Sequence, residues 1–252
     1  MMNPCSPLVN HLSVSPNFGD RRAIQKPDMV ILHYTGMRDG MSALEWLCHP
    51  ESHVSCHYVV MEDGVIHQLV AESHRAWHAG VGQWHTISDI NSHSIGIEIV
   101  NGGHDFCASD GTLPPYPAVQ IESVIALSRD LIARWSIEPR NILAHSDIAP
   151  QRKQDPGEHF PWNLLHEAGV GHWVMPEPLK DGRFLSLGDV GAPIEALQMM
   201  LKLYGYGLDV TGHFDAMTQA CVKAFQRHFR PQQVDGIADS STITTLHRLL
   251  QA

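Results

Sequence analysis

The sequence predicts an α/β domain built around a mostly buried sheet, followed by a small three-helix unit. Three observations carry this. Short apolar, β-branched runs recur between residues 29 and 145, with the length and composition of buried strands. Stretches with helical spacing lie between those runs, the alternation that marks an α/β domain. Beyond a polar, proline-containing stretch at residues 172–185 (HWVMPEPLKDGRFL) the pattern becomes purely helical.

The elements follow in chain order. Residues 29–34 (MVILHY), bounded by Pro27 and Gly36, read as a buried strand. Residues 42–48 place Ala43, Leu44 and Leu47 at helical spacing, with Ser42 as the expected N-cap. Residues 54–61 and 65–70 read as a hairpin turned at Glu62-Asp63-Gly64. In residues 94–100 (SIGIEIV) three isoleucines alternate with Gly96 and Glu98, which sets Glu98 on the face opposite the isoleucines. Residues 119–135, after Pro117, form a long amphipathic helix. Residues 141–145 (NILAH) are another short buried strand, and residues 146–161 carry loop chemistry. In the last third, residues 193–204, 218–229 and 241–250 have helical spacing, separated by Gly- and Asp-rich loops. This gives a domain over 1–175, a linker over 176–184 and a helical unit over 185–252, the last small enough to be marginal alone.

Composition narrows the function classes. Hydrophobic residues make up 43% of the chain and charged residues 17%, a core-forming balance. The net charge is −10 and the 17 basic residues are scattered, which argues against a nucleic-acid partner. No apolar run approaches the length of a membrane span. The N-terminal residues lack a basic and apolar leader pattern, so a cytoplasmic location is expected, with a periplasmic one open if a leader has been removed. Five cysteines without a CxxC pair point to free thiols rather than a disulfide framework. Histidine is the outlier: eighteen is well above ordinary usage and raises the expectation of a metal site.

A catalytic zinc site takes about three His, Asp, Glu or Cys ligands and leaves one position open. His33 closes the first strand, His145 closes the NILAH strand, and Asp155 lies in the loop beyond it. Taken singly, such a His is more often a structural residue, and an Asp before Pro more often a turn residue. Glu98, flanked by isoleucines, either faces solvent on a half-exposed sheet or lines a pocket, where it could act as a proton carrier. Lys153 stands two residues before Asp155. In an extended loop the two side chains share one side, although a solvated lysine would look the same.

The ordered strings VILHYTG, SCHYVV with EDG, AWHAG, NSHSIGIEIVN and LAHSDIAPQRKQDPGEHFPW together resemble the type-2 N-acetylmuramoyl-L-alanine amidases, with their AmpD-like and AmiD-like branches. The likeness runs from about residue 17 to residue 172. It implies a central mixed β-sheet flanked by helices, of the amidase and recognition-protein type. It also implies zinc on His33, His145 and Asp155, Glu98 as the catalytic acid/base and Lys153 as the transition-state stabiliser. Trp77 and His78 match a stretch near the family's substrate groove, and His57 matches a structural position. From about residue 185 to residue 250 the chain resembles the three-helix peptidoglycan-binding domain of cell-wall hydrolases. That unit either binds wall or braces the catalytic domain.

The implied activity is zinc-dependent hydrolysis of the amide between N-acetylmuramic, or 1,6-anhydro-N-acetylmuramic, acid and L-alanine, for cell-wall recycling. Its expected partner is peptidoglycan or a muropeptide. Two alternatives stay open: a non-catalytic recognition module, and a periplasmic or phage-type amidase acting on intact sacculi. The complete ligand set favours an enzyme. A metallopeptidase of the HExxH type is excluded, since no such string occurs.

Overall fold

The structure is a computed structural model that describes residues 2–180 and 182–252; Asp181, inside the expected linker, lies outside the described residues. Two short strands, β1 (His11–Leu12) and β2 (Phe18–Asp20), precede β3 (Met29–Tyr34). Helix α1 (Gly40–Cys48) leads to β4 (Tyr58–Val60), β5 (Ile66–Gln68) and β6 (His74–Ala76). The single turn α2 (Ile90–His93) feeds β7 (Ser94–Ile99), and the long α3 (Ala118–Trp135) precedes β8 (Ile142–Ala144). Two short helices follow, α4 (His145–Ile148) and α5 (Trp162–Glu167). The helical unit comprises α6 (Ala192–Tyr204), α7 (Ala216–Phe229) and α8 (Ser240–Gln251).

The main sheet has six strands in the order β1-β5-β4-β7-β3-β8. All its pairings are parallel except the β4–β5 hairpin, so the sheet is mixed, as expected. β2 and β6 form a separate antiparallel pair. The hairpin turn closes through the Gly64 N–H on the Met61 carbonyl at 2.9 Å, with Gly64 at φ +84°, a conformation that favours glycine.

β3 and β7 are buried nearly throughout because both faces of the sheet are covered. Val30 and Leu32 of β3 join Ile95, Ile97 and Ile99 of β7 in a core with Ile121, Val124, Leu127 and Leu131 of α3. Met29 and Ile31 point the other way, into a core that also contains Leu197, Leu201, Phe225 and Leu246 of the helical unit. One continuous core therefore spans the sheet and the C-terminal helices. Trp84 sits within it, edge-on to Tyr204 and Tyr206.

Three local readings change. The N-cap of α1 is Asp39, whose carboxylate accepts the Ser42 N–H at 2.8 Å, so Ser42 is the third helical residue rather than the cap. The regular hairpin pairing, residues 58–60 with 66–68, is shorter than the strands expected over 54–61 and 65–70. His145 does not end a strand; β8 stops at Ala144 and His145 begins α4. Cys5, Cys48, Cys56, Cys107 and Cys221 are all free thiols.

Candidate metal centre and active site

The β3–β7 register aligns Met29 with Ser94, Ile31 with Gly96 and His33 with Glu98. Side chains alternate faces along a strand, so all six positions lie on the face away from α3. At the C-terminal ends of these parallel strands that face carries His33 and Glu98. β8 pairs with β3 on its other side and delivers His145 one residue beyond the strand. The loop after α4 turns back so that the Ser146 N–H donates to the Asp155 carbonyl at 3.1 Å, which brings Asp155 beside His145.

The three expected ligands meet. His33 Nδ1 and His145 Nδ1 are 2.8 Å apart, and Asp155 Oδ2 lies 3.0 Å from the first and 2.9 Å from the second. All three residues are buried.

The protons of this cluster follow from its neighbours. Ser94 Oγ donates to the Ile90 carbonyl at 2.7 Å, so it must accept from His78 Nε2–H at 3.1 Å. His78 Nδ1 is then a bare acceptor and takes the His33 Nε2–H at 3.0 Å. That leaves a lone pair on His33 Nδ1. On the other side, Arg152 Nη2 gives its two hydrogens to the Ala79 and Val81 carbonyls, at 2.6 and 2.7 Å. His145 Nε2–H therefore donates to the Ala79 carbonyl at 2.9 Å, and its Nδ1 is also bare. Two lone pairs and a carboxylate oxygen converge with no proton between them, an arrangement that suits a cation. Ligand atoms bound to zinc at about 2.0–2.1 Å at tetrahedral angles lie roughly 3.3 Å apart, close to the triangle seen here. The His-His-Asp site can thus hold a metal ion once its ligand atoms part by a few tenths of an ångström.

The electrostatics agree. Burial, with His145 beside it, holds the His33 imidazole down at about 4, so the ring is neutral at pH 7. Burial and then the Asp155 charge push Glu98 well above that range, with Lys153 opposing them. Glu98 is half-buried, and its Oε2 is enclosed without a hydrogen-bond partner.

Glu98 and Lys153 line the same cleft of about 410 Å³ as the three ligands. Trp77 and His78 line it too, together with Trp46 on α1. Trp77 lies on the wall. His78 is buried and turned to His33, and burial, followed by His33, pushes its pKa well below the usual histidine value. Its backbone N–H and that of Ala79 both donate to Asn91 Oδ1, at 3.1 and 2.8 Å. A Cβ on Gly96 would come within 2.4 Å of the His78 ring, so glycine is what lets that ring lie across β7. His57 stays outside the cluster: its Nδ1 accepts the Gly96 N–H and its Nε2–H reaches the His74 carbonyl.

Ser94, Asn91 and Gly96 are parts of the site that sequence reasoning did not assign, although all three stand in the NSHSIGIEIVN string. His104, whose Nδ1 lies 3.0 Å from the Tyr34 hydroxyl at the cleft, gave no sequence signal.

Residues 23–158 match the N-acetylmuramoyl-L-alanine amidase family, and residues 190–246 match a peptidoglycan binding domain. AmiD of Escherichia coli (strain K12), an N-acetylmuramoyl-L-alanine amidase, is 37% identical over 231 residues, 88% of this chain and 82% of AmiD. The 1,6-anhydro-N-acetylmuramyl-L-alanine amidase AmpD of Enterobacter cloacae is 32% identical over 170 residues, 60% of this chain and 86% of AmpD. The solved structure of E. coli AmiD with its substrate anhydro-N-acetylmuramic acid-L-Ala-D-gamma-Glu-L-Lys has a TM-score of 0.76 at 34% identity, over 93% of this chain and 97% of that one. Pseudomonas aeruginosa AmpDH3 in complex with anhydromuramic pentapeptide gives 0.72 at 31% identity, over 93% of each chain. The mixed sheet flanked by helices is the fold of these enzymes, and the His-His-Asp cluster lies within the matched region. The chain belongs to the N-acetylmuramoyl-L-alanine amidase family.

Proposed function

We propose that this protein is a zinc amidase that cleaves the bond between the lactyl group of 1,6-anhydro-N-acetylmuramic acid, or N-acetylmuramic acid, and L-alanine. The observation that carries this reading is the set of three facing acceptors on His33, His145 and Asp155, beside a half-buried carboxyl on the same sheet face. The anhydromuropeptides bound by AmiD and AmpDH3 support the substrate class.

A zinc ion on these ligands would supply Lewis-acid polarisation of the scissile carbonyl and activation of water at neutral pH. Glu98 accepts the proton of the attacking water and delivers it to the leaving alanine nitrogen. Its raised pKa suits both steps, because a carboxyl well above the usual range holds a proton more readily. Lys153 faces the same cleft and forms no ion pair among the described residues, so its ammonium is free to stabilise the developing oxyanion. Trp77 offers an apolar wall to the sugar or peptide. His78 contributes by fixing the His33 tautomer.

We assign catalysis to residues 1–175, with residues 176–184 as the linker and 185–252 as the peptidoglycan-binding-like unit. Among the described residues, no helix is long and apolar enough to cross a membrane. The recycling reading places the enzyme in the cytoplasm, acting on released fragments. The peptidoglycan binding match favours a second reading, a periplasmic enzyme acting on intact wall. Metal analysis combined with peptide release from purified anhydromuropeptide and from intact sacculi tests both. Zinc at one per chain with faster release from the fragment supports the first reading. Preference for sacculi supports the second, and no release from either overturns the amidase assignment.

A further inference from the structure

The two segments that carry His145 and Asp155 have little structure of their own. α4 is a single turn, and residues 149–158 contain no regular element. Both are gripped from the helical unit. Asp147, two residues after His145, has a fully buried carboxylate. Its Oδ2 accepts the Ala144 N–H at 2.8 Å, which closes the turn at its own start. Its other partners come from the helical unit: the Tyr206 hydroxyl, just beyond α6, donates to Oδ1 at 2.8 Å, and His228 Nδ1–H of α7 donates to Oδ2 at 2.7 Å. Tyr206 and His228 are themselves buried. The His228 ring is held between Trp162 and Phe229, stacked on both at centroid distances of 3.7 and 3.8 Å.

The residue before His228 grips the second segment. Arg227 Nη2 donates to Gln154 Oε1 at 2.9 Å, and its Nε faces Glu158 Oε2 at 3.6 Å. Gln154 stands between Lys153 and Asp155. Two consecutive residues of α7 thus span both ligand-bearing segments, one hand on 147 and one on 154 and 158.

We infer that the helical unit positions the metal centre: Arg227 and His228 of α7, with Tyr206, hold the His145 turn and the Asp155 loop at ligand spacing. The inference rests on the metal reading above. A buried carboxylate that loses a donor must find another or shift, and Asp147 can shift only by carrying the His145 turn with it. The helical unit is then a positioning element of the active site as well as any wall contact it makes.

The test uses the full chain in four forms: wild type, Tyr206→Phe, His228→Leu and His228→Asn. Tyr206→Phe keeps the ring and removes one oxygen, which guards against misfolding. His228→Asn retains a donor near the Nδ1 position, whereas His228→Leu does not. Zinc affinity is read by chelator competition, and melting temperature with and without zinc. Weakening of zinc binding by about tenfold or more in Tyr206→Phe and His228→Leu is expected, the size seen for partners that orient metal ligands. The zinc-induced rise in Tm should shrink with it, His228→Asn should recover much of the affinity, and kcat should fall with KM nearly unchanged. Equal zinc affinity in all four forms, with only the metal-free Tm lowered, overturns the inference and leaves the helical unit as a packing partner. A wild-type chain that binds no zinc is a different result, which overturns the metal reading itself.

Discussion

His33 and Glu98 occupy paired positions on adjacent parallel strands, so a metal-ligand candidate and a half-buried carboxyl with one enclosed, unpartnered oxygen leave the same face of the sheet side by side. Glu98→Gln keeps the shape and removes the proton carrier. Turnover should fall by roughly 10²–10⁴-fold with zinc content unchanged. The metal-free protein should gain stability. A carboxyl whose folded pKa is raised contributes stability below its unfolded pKa and loses it as pH rises through the folded value. The advantage of the Gln variant in Tm should therefore grow as pH is raised above about 4.5.

Removal of the metal should be visible in stability as well as activity. With free zinc at a thousand times Kd, binding adds about 4 kcal/mol, which corresponds to a rise in Tm on the order of 10 °C for a chain of this size. A chelator should abolish both the activity and this increment, and added zinc should restore them. His33→Ala, His145→Ala and Asp155→Ala should each behave like the chelated wild type in calorimetry and show no response to added zinc.

The relay from Ile90 through Ser94 and His78 to His33 makes a graded prediction. His78→Ala should weaken zinc binding by about 10–100-fold, and Ser94→Ala by less, since it leaves the His78 ring in place. Gly96→Ala should act in the same direction as His78→Ala, because the new methyl displaces that ring. Zinc affinity by chelator competition orders the three.

Lys153→Ala should lower kcat by roughly 10²–10³-fold, the size of losing one oxyanion donor, with a smaller change in KM and no loss of zinc. Steady-state kinetics on an anhydromuropeptide separates this from a fall in metal affinity.

The metal-free protein should be acid-labile well above the ordinary carboxylate range. Burial holds His33 at about 4 and His57 at about 3, both below the usual histidine value. A ring whose folded pKa is depressed stays neutral in the fold and is protonated first in the unfolded chain. Its contribution is present above about pH 6.5 and is lost as pH falls from there, at about 1.4 kcal/mol per pH unit for each ring. Denaturant melts between pH 7 and pH 4 check the slope, and His57→Gln should reduce it.

What the sequence made legible was whatever a local pattern could express. β3 is a continuous apolar run and β7 a strict alternation, so both strands and α3 could be read directly, and the parity of Glu98 against its isoleucines was correct. The face that Glu98 would share with His33 was not readable, because that depends on the register between strands separated by some sixty residues of chain. β1 and β2 escaped notice for a related reason: they are too short to show a period and exist only through pairing with β5 and β6. The hydrogen bond between His78 and His33 was not readable either, because no string of neighbours encodes it. The grip of Tyr206 and His228 on Asp147 joins residues 59 and 81 positions apart, and nothing in the helical pattern of α7 marks it.

The shared core on one face of β3 has a consequence for how the chain is made. Met29 and Ile31 are among the first core residues to be synthesised, while Leu197, Phe225 and Leu246, which share their core, are among the last. Until α6, α7 and α8 have left the ribosome, one face of the sheet stays wet and the turn bearing His145 lacks its outer grip. The nascent amidase segment therefore keeps apolar surface exposed until the helical unit covers it. A chain truncated ahead of α6 would leave that apolar face uncovered, which makes it a candidate for chaperones.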